Sequence, residues 1–201
     1  MGPGQTREGL RGFIVIDLRK LRKPLAAAFL LALALYLAWL AVSMLYPLKY
    51  QDLIRKYSAE HGVSPALVCA VIHSESRFER EAVSRKGASG LMQIVRQTAD
   101  WAADEMGLDG YSYDESIMDA ETNINIGCWY MGRLIRQYGD VMTAAAAYNA
   151  GSGNVSAWLK DPAYSKDGRT LSRIPFGETR KYAAKIGKSV KIYEVLWKLV
   201  R

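Results

Sequence analysis

The sequence predicts an all-α domain of about 150 residues preceded by one N-terminal transmembrane helix. Three observations carry that reading. An uncharged apolar run occupies Pro24 to Leu48. The remainder repeats its apolar residues at helical spacing, and no alternating stretch of strand length interrupts it. Away from the run the apolar share is roughly 45%, ordinary for a globular domain. A disordered chain, a multi-span membrane protein and a disulfide scaffold are thereby excluded.

Of the 25 residues from Pro24 to Leu48, 22 are apolar. At 1.5 Å per residue such a helix crosses a bilayer. A signal-peptide core is shorter, about 7–15 residues, although Ala41-Val42-Ser43 has the small-x-small form of a cleavage site. Trp39, Tyr46 and Tyr50 suit an aromatic belt at the outer interface, whereas Tyr36 falls mid-span. Before the run, Arg7, Arg11, Arg19, Lys20, Arg22 and Lys23 face only Glu8 and Asp17, so four of the seven net positive charges lie there. Lys and Arg stay on the cytoplasmic side. The expected organisation is a basic cytoplasmic tail over 1–23, an anchor over 24–48 and a domain over 49–201 outside the cytoplasmic membrane. No basic stripe continues through the domain, which argues against a nucleic-acid partner.

Within the domain, Leu53, Ile54 and Tyr57 mark a helix over 50–60. Ser64-Pro65 reads as an N-cap followed by proline at the first helical position. The helix it opens carries Leu67, Val68, Val71 and Ile72 and runs to about Phe78. Gly87 to Gly90 is a turn. A helix follows over 98–106, then a loop over 107–114. Ile124, Cys128, Met131, Leu134 and Ile135 stripe a long helix over 120–138. Asp140 caps the next, over 141–148, which Gly151-Ser152-Gly153-Asn154 stops. Residues 161–173 are a polar surface loop. A last helix fills 175–200, with an interruption expected near Gly187.

Glu75 is the first candidate for chemistry. It sits one turn beyond Val71 and Ile72, near the buried face and the C-terminal end of an apolar helix. Desolvation and the helix dipole both favour its protonated form, as a general acid near neutral pH requires. The competing reading is a surface glutamate paired with Arg77 or Arg80. His73-Ser74-Glu75 spells half of a zinc-deaminase signature, but the Pro-Cys-x-x-Cys half is missing. His61 and His73 alone make no metal site. No Gly-x-Ser-x-Gly elbow is present. Cys69 and Cys128 fall on predicted buried helices; an exported domain allows them to pair, and buried free thiols are equally common. Trp101, Trp129 and Trp158 are candidates for core packing or for sugar stacking.

Three more clusters follow in order: Gly87-Ala88-Ser89-Gly90-Leu91-Met92-Gln93-Ile94, Ala144 to Gly151 around Tyr148-Asn149, and Ile174 to Tyr182 with Glu178-Thr179-Arg180-Lys181-Tyr182. With the Glu75-Ser76 window they resemble the soluble lytic transglycosylases, whose catalytic domain has a goose-type-lysozyme-like fold. The resemblance covers about Tyr50 to Tyr193. It implies a lysozyme-like helical domain with Glu75 as the single catalytic acid and base. It implies that Ser84, Met92, Gln93, Tyr148, Asn149 and Tyr182 bind substrate, and that Ser76 and Glu178 support the site. The implied substrate is peptidoglycan, cut at the β-1,4 bond between N-acetylmuramic acid and N-acetylglucosamine. The chain departs from the family pattern at Glu79-Arg80 and Val95-Arg96, where Asn-Pro and Met-Pro are usual.

The chemistry implied needs one carboxyl. Glu75 protonates the leaving oxygen, then takes the proton of the sugar's own C6 hydroxyl, which closes a 1,6-anhydro ring. An intramolecular nucleophile has a large effective molarity. A hydrolysing muramidase of the same fold needs a second carboxylate, with Glu79, Glu81 and Asp100 as candidates. The third reading is a non-catalytic wall-binding scaffold. No metal or organic cofactor is expected. The expected partners are glycan strands and the cytoplasmic membrane, and the expected state is a monomer.

Overall fold

The computed structural model describes residues 18–200, with side chains from residue 22. The expected basic tail therefore lies largely outside the described residues. Helix α1 spans Leu18–Leu45, and its stretch Arg22–Leu45 is long and apolar enough to cross a membrane. It begins before Pro24, which sits inside it.

The second unit is Tyr46–Arg201. It carries α2 (Gln51–His61), α3 (Pro65–Glu75), α4 (Arg96–Met106), α5 (Tyr113–Ser116), α6 (Ala120–Tyr138), α7 (Val141–Ala150), α8 (Ser152–Leu159) and α9 (Gly177–Leu199). Among the described residues there is no strand, only isolated bridges joining Ser89 to Val83 and to Ile94. Tyr46 to Leu48, placed in the span by hydropathy, pack on this unit. The Tyr46 ring lies 5.0 Å from His73, and Tyr193 Oη donates to the Pro47 carbonyl at 3.3 Å.

Local sequence explains the helix ends. Pro65 starts α3, although Ser64 makes no side-chain cap bond. Asp119 and Asp140 cap α6 and α7 by accepting from the Thr122 and Thr143 amides at 2.9 and 2.7 Å. Gly62, Gly107 and Gly139 end α2, α4 and α6 in the left-handed conformation that only glycine adopts freely.

Three expectations change. Helix α3 stops at Glu75, because Arg77 and Phe78 both take positive φ. The segment Gly151 to Asn154 is not simply a stop: Gly151 turns the chain at φ 87° and α8 begins at Ser152. Helix α9 runs unbroken through Gly187, where a Cβ would lie 3.4 Å from Met142 Cε; this glycine serves a close helix approach, not a break. The core is built on α3, whose residues Ala66 to Ile72 are all buried. Helix α9 packs along it, and α6 with α7 complete the wall.

Candidate active site

Glu75 is the last residue of α3 and remains partly exposed. Burial is the main influence on its carboxyl and pushes it up to about 7. Three groups on one face of α9 modulate that value. Tyr182 and Lys185 favour the carboxylate, and Glu178 opposes it. The Tyr182 hydroxyl is buried beside Glu75 without a well-aligned hydrogen bond. Lys185 Nζ donates to the Ser74 carbonyl at 3.3 Å, one residue before the acid. Tyr148 faces Glu75 from α7, and burial keeps its phenol protonated.

The pairing of Glu75 with Arg77 or Arg80 does not occur; Arg80 pairs instead with Glu81 at 3.2 Å. Glu79, Glu81 and Asp100 are exposed, and Asp100 acts on Arg96 and Tyr111. The carboxylate whose charge reaches Glu75 is Glu178, which is exposed. His73 forms a three-ring cluster with Tyr46 and Tyr193, which also pack on each other edge to face. Cys69 and Cys128 are buried free thiols; burial pushes Cys69 up to about 12 and Cys128 higher than its ordinary value.

After α3 the chain runs through residues 76–95 without a helix, and side chains fix its backbone. Ser76 Oγ donates to the Leu91 carbonyl at 2.7 Å, tying the end of α3 to the glycine-rich segment. Ser84 Oγ accepts from the Lys86 and Ala88 amides and closes the 84–88 turn. Gln93, at φ 51°, donates from Nε2 to the carbonyls of Ala82 and Gly90 at 2.8 and 2.9 Å. Its amide hydrogens brace the loop. Met92 is fully buried; a Cβ on Gly127 would stand 2.2 Å from its Sδ. The side chain thus belongs to the core, and the backbone carbonyl is its contribution, accepting from Tyr148 Oη at 2.9 Å.

Tyr148 and Asn149 line a cleft of about 230 Å³ together with Gln93, Ile94, Val95, Thr98 and Tyr130. Asn149 Oδ1 accepts from the buried Thr179 hydroxyl at 2.8 Å, joining α7 to the start of α9. The structure thus gathers Glu75, Tyr148, Tyr182 and Glu178 around one carboxyl, and Gln93, Tyr148 and Asn149 around the cleft. Ser84 holds its own turn. Trp129 and Trp158 are buried, and Trp101 is 38% exposed.

Two residues that sequence reasoning passed over organise the loop. Asn123, 1% exposed on α6, accepts from the Met92 amide at 2.8 Å. It donates to the Ser89 and Ile117 carbonyls at 3.0 and 2.9 Å. Tyr113 Oη lies 3.0 Å from the carbonyls of both Gly87 and Ile94. The available signal was an asparagine beside the apolar stripe of α6. Gly90 permits this packing: at φ +79° a Cβ would meet Asn123 Nδ2 at 2.1 Å.

A helical domain with one acid raised toward neutrality beside a cleft defines a class, and comparison with known proteins gives the family. Residues 52–170 match the transglycosylase SLT domain, and the chain belongs to that family. It is 36% identical to the soluble lytic murein transglycosylase of Escherichia coli K12 over 155 residues, 76% of this chain and 23% of that protein. It is 33% identical to a membrane-bound lytic murein transglycosylase C of Yersinia pestis over 168 residues, 72% of this chain and 46% of that protein. The chain thus spans less than half the length of either relative. The crystal structure of the 70-kDa soluble lytic transglycosylase of E. coli superposes with a TM-score of 0.70 at 32% identity, covering 80% of this chain and 26% of that one. An inactive Glu-to-Gln mutant of Slt from Pseudomonas aeruginosa does so with 0.68 at 28%, covering 76% and 25%.

Proposed function

We propose that this chain is a membrane-anchored lytic transglycosylase that cleaves the β-1,4 bond between N-acetylmuramic acid and N-acetylglucosamine in peptidoglycan. The observation that carries the reading is the Glu75 carboxyl, raised to about 7 by burial at the end of α3 and set beside Tyr148 and the cleft. A carboxyl so poised holds a proton at neutral pH and has a conjugate base able to take one back. In the first half-reaction Glu75 gives its proton to the glycosidic oxygen and the bond from C1 to that oxygen breaks. In the second, the C6 hydroxyl oxygen of the same muramic residue bonds to C1 and its proton returns to Glu75. The products are a free 4-hydroxyl and a 1,6-anhydro end, and no water is consumed.

The names of the relatives support the substrate, and a Glu-to-Gln exchange accompanies inactivity in one of them. Ser76 and Glu178 support the acid, and Gln93, Tyr148 and Asn149 meet the glycan. The length and apolar composition of α1 support anchoring, and the excess of Lys and Arg before it supports a basic tail inside and the catalytic domain outside the cytoplasmic membrane. The protein acts as a monomer.

Mass spectrometry of peptidoglycan digested by the full chain tests the reading. The expected products carry 1,6-anhydromuramic ends. Reducing ends would make the enzyme a muramidase, with Glu178 the first carboxylate to examine for holding water. Glu75→Gln is expected to lower turnover by at least about 10³-fold while glycan binding persists. Retained turnover would remove Glu75 from the mechanism.

A further inference from the structure

The cleft beside Tyr148 continues past Tyr130. Thr98, Tyr130 and Gly151 line it and also a second hollow of about 330 Å³. The rings of Tyr148, Tyr130 and Trp101 follow one another at centroid distances of 5.3 and 6.3 Å. The hollow lies beyond Tyr130 along this row, so it is remote from Glu75. Its polar side chains are Gln97, Thr98, Tyr130, Arg133, Gln137 and Ser152, and no acidic residue lines it.

Arg133 is held in an unusual way. Its guanidinium lies 4.7 Å over the Trp101 ring and 5.6 Å from the Trp129 ring. The acid near it, Glu105, stands 3.9 Å away, beyond hydrogen-bond distance. Cation–π contact therefore holds the guanidinium against the indoles, and its N–H groups stand beyond hydrogen-bond reach of Glu105. A flat fork of donors matches the two oxygens of a carboxylate. The exposed indole of Trp101 supplies an apolar wall of the kind a sugar ring packs against.

We propose that this hollow is a carboxylate-binding subsite of the glycan groove, in which Arg133 takes a carboxylate carried on a sugar remote from the scissile bond. The inference rests on the reading of the chain as a glycan-cleaving enzyme. Two sources offer that chemistry: the lactyl carboxylate of an unsubstituted muramic residue, and a carboxylate of a peptide attached to it. The subsite makes Arg133 a specificity residue that separates wall glycan from neutral glycan of the same backbone.

The test measures dissociation constants on the full chain in detergent, in a Glu75→Gln background, so that ligands are not consumed. Three soluble oligomers of equal length serve as probes: neutral N-acetylglucosamine, the alternating muramic oligomer without peptides, and the same oligomer with peptides. Arg133→Gln is expected to weaken binding of the carboxylate-bearing oligomers about tenfold and to leave the neutral oligomer unchanged. Arg133→Lys recovers only part of the loss, because it keeps the charge without the fork. Loss confined to the peptide-free muramic oligomer identifies the lactyl group, because an attached peptide converts that carboxylate into an amide; loss confined to the peptide-bearing oligomer identifies a peptide carboxylate, and loss with both shows that the subsite takes either. With Glu75 intact, Arg133→Gln raises KM and leaves kcat. Equal loss on the neutral oligomer, or no loss on any, overturns the subsite while the functional reading stands. Failure of every oligomer to bind the parent chain overturns that reading and the subsite with it.

Discussion

Helix α3 and the segment 76–95 deliver parts of one site by opposite means. In α3, Val68 to Ile72 are fully buried. Apolar burial places its final residue, Glu75, at the edge of the core, and the same burial raises its proton affinity. The segment 76–95 has no helix; turn and bridge bonds of its own backbone, such as Gly90 N to the Ala82 carbonyl and the reciprocal Ser89–Ile94 pair, shape it locally. Hydrogen bonds of Tyr113, Asn123 and Tyr148 from outside, together with its own Ser76 and Gln93, fix it to the rest of the domain. The acid's chemistry thus comes from non-directional packing, and the groove's shape comes from directional bonds. The two should fail differently when disturbed.

The largest effect is expected where the bonds converge. Asn123→Ala leaves the Met92 amide and the Ile117 carbonyl without their partner, while the Ser89 carbonyl keeps its bond from the Ile94 amide. Each buried unpaired group costs about 1–3 kcal/mol, so with partial relaxation the loss of stability is about 3–4 kcal/mol. Ile72→Val in α3 removes one buried methyl and costs about 1 kcal/mol. Urea unfolding of both variants checks the contrast. A cost for Asn123→Ala no larger than that for Ile72→Val would mean that packing, not bonding, holds the loop.

The same contrast decides what was legible in the sequence. The helices α2, α3 and α6 follow from apolar spacing, and the start of α7 from the cap at Asp140. Glu75 was legible because its position at the end of an apolar helix is itself a local fact. The partners of the loop were not. Asn123 lies 31 residues from Met92, and Tyr148 lies 56 residues from it. No periodicity encodes such pairings. Met92 and Gln93 mark the groove by resemblance, yet one is core and the other spends its amide on carbonyls. Helix α8 was hidden behind Gly151, whose φ of 87° turns the chain before the next helix starts. Gly187 misled because a helical glycine that admits a neighbour reads like one that ends a helix.

The next effect concerns stability at the acid itself. The Glu75 carboxyl binds its proton more tightly folded, at about 7, than at its ordinary 4.5. Between those values the native state holds the proton that the unfolded chain has lost, so stability falls as pH rises. Below about pH 4.5 both states are protonated and there is no cost. Above about pH 7 the cost is complete, at most about 3 kcal/mol at 1.36 kcal/mol per unit, and less because Glu75 is partly exposed. Glu75→Gln should therefore raise Tm at pH 8 by several degrees and leave it unchanged at pH 4. An increase that is the same at both pH values would show that relief of charge burial is not its source.

The smallest effect is also the sharpest. Glu178, Tyr182 and Lys185 lie four and three residues apart on α9, so they share a face. They act on Glu75 in opposite senses. Arg77 acts on Lys185, and Tyr148 stays neutral opposite the acid. A general acid must be protonated, so in the proposed mechanism kcat/KM falls above the pKa of Glu75. Lys185→Met removes a charge that favours the carboxylate, and the alkaline limb should move to higher pH. Glu178→Gln removes a charge that opposes it, and the limb should move to lower pH. Each shift is less than about one unit, since Glu178 and Lys185 are both exposed. The pH profile of kcat/KM on soluble glycan, measured at low and high salt, reads both. Opposite shifts that shrink with salt would show that α9 tunes the acid through charge. Shifts of the same sign would reduce α9 to a packing surface for α3, and the contrast between a packed acid and a bonded groove would then hold without an electrostatic partner.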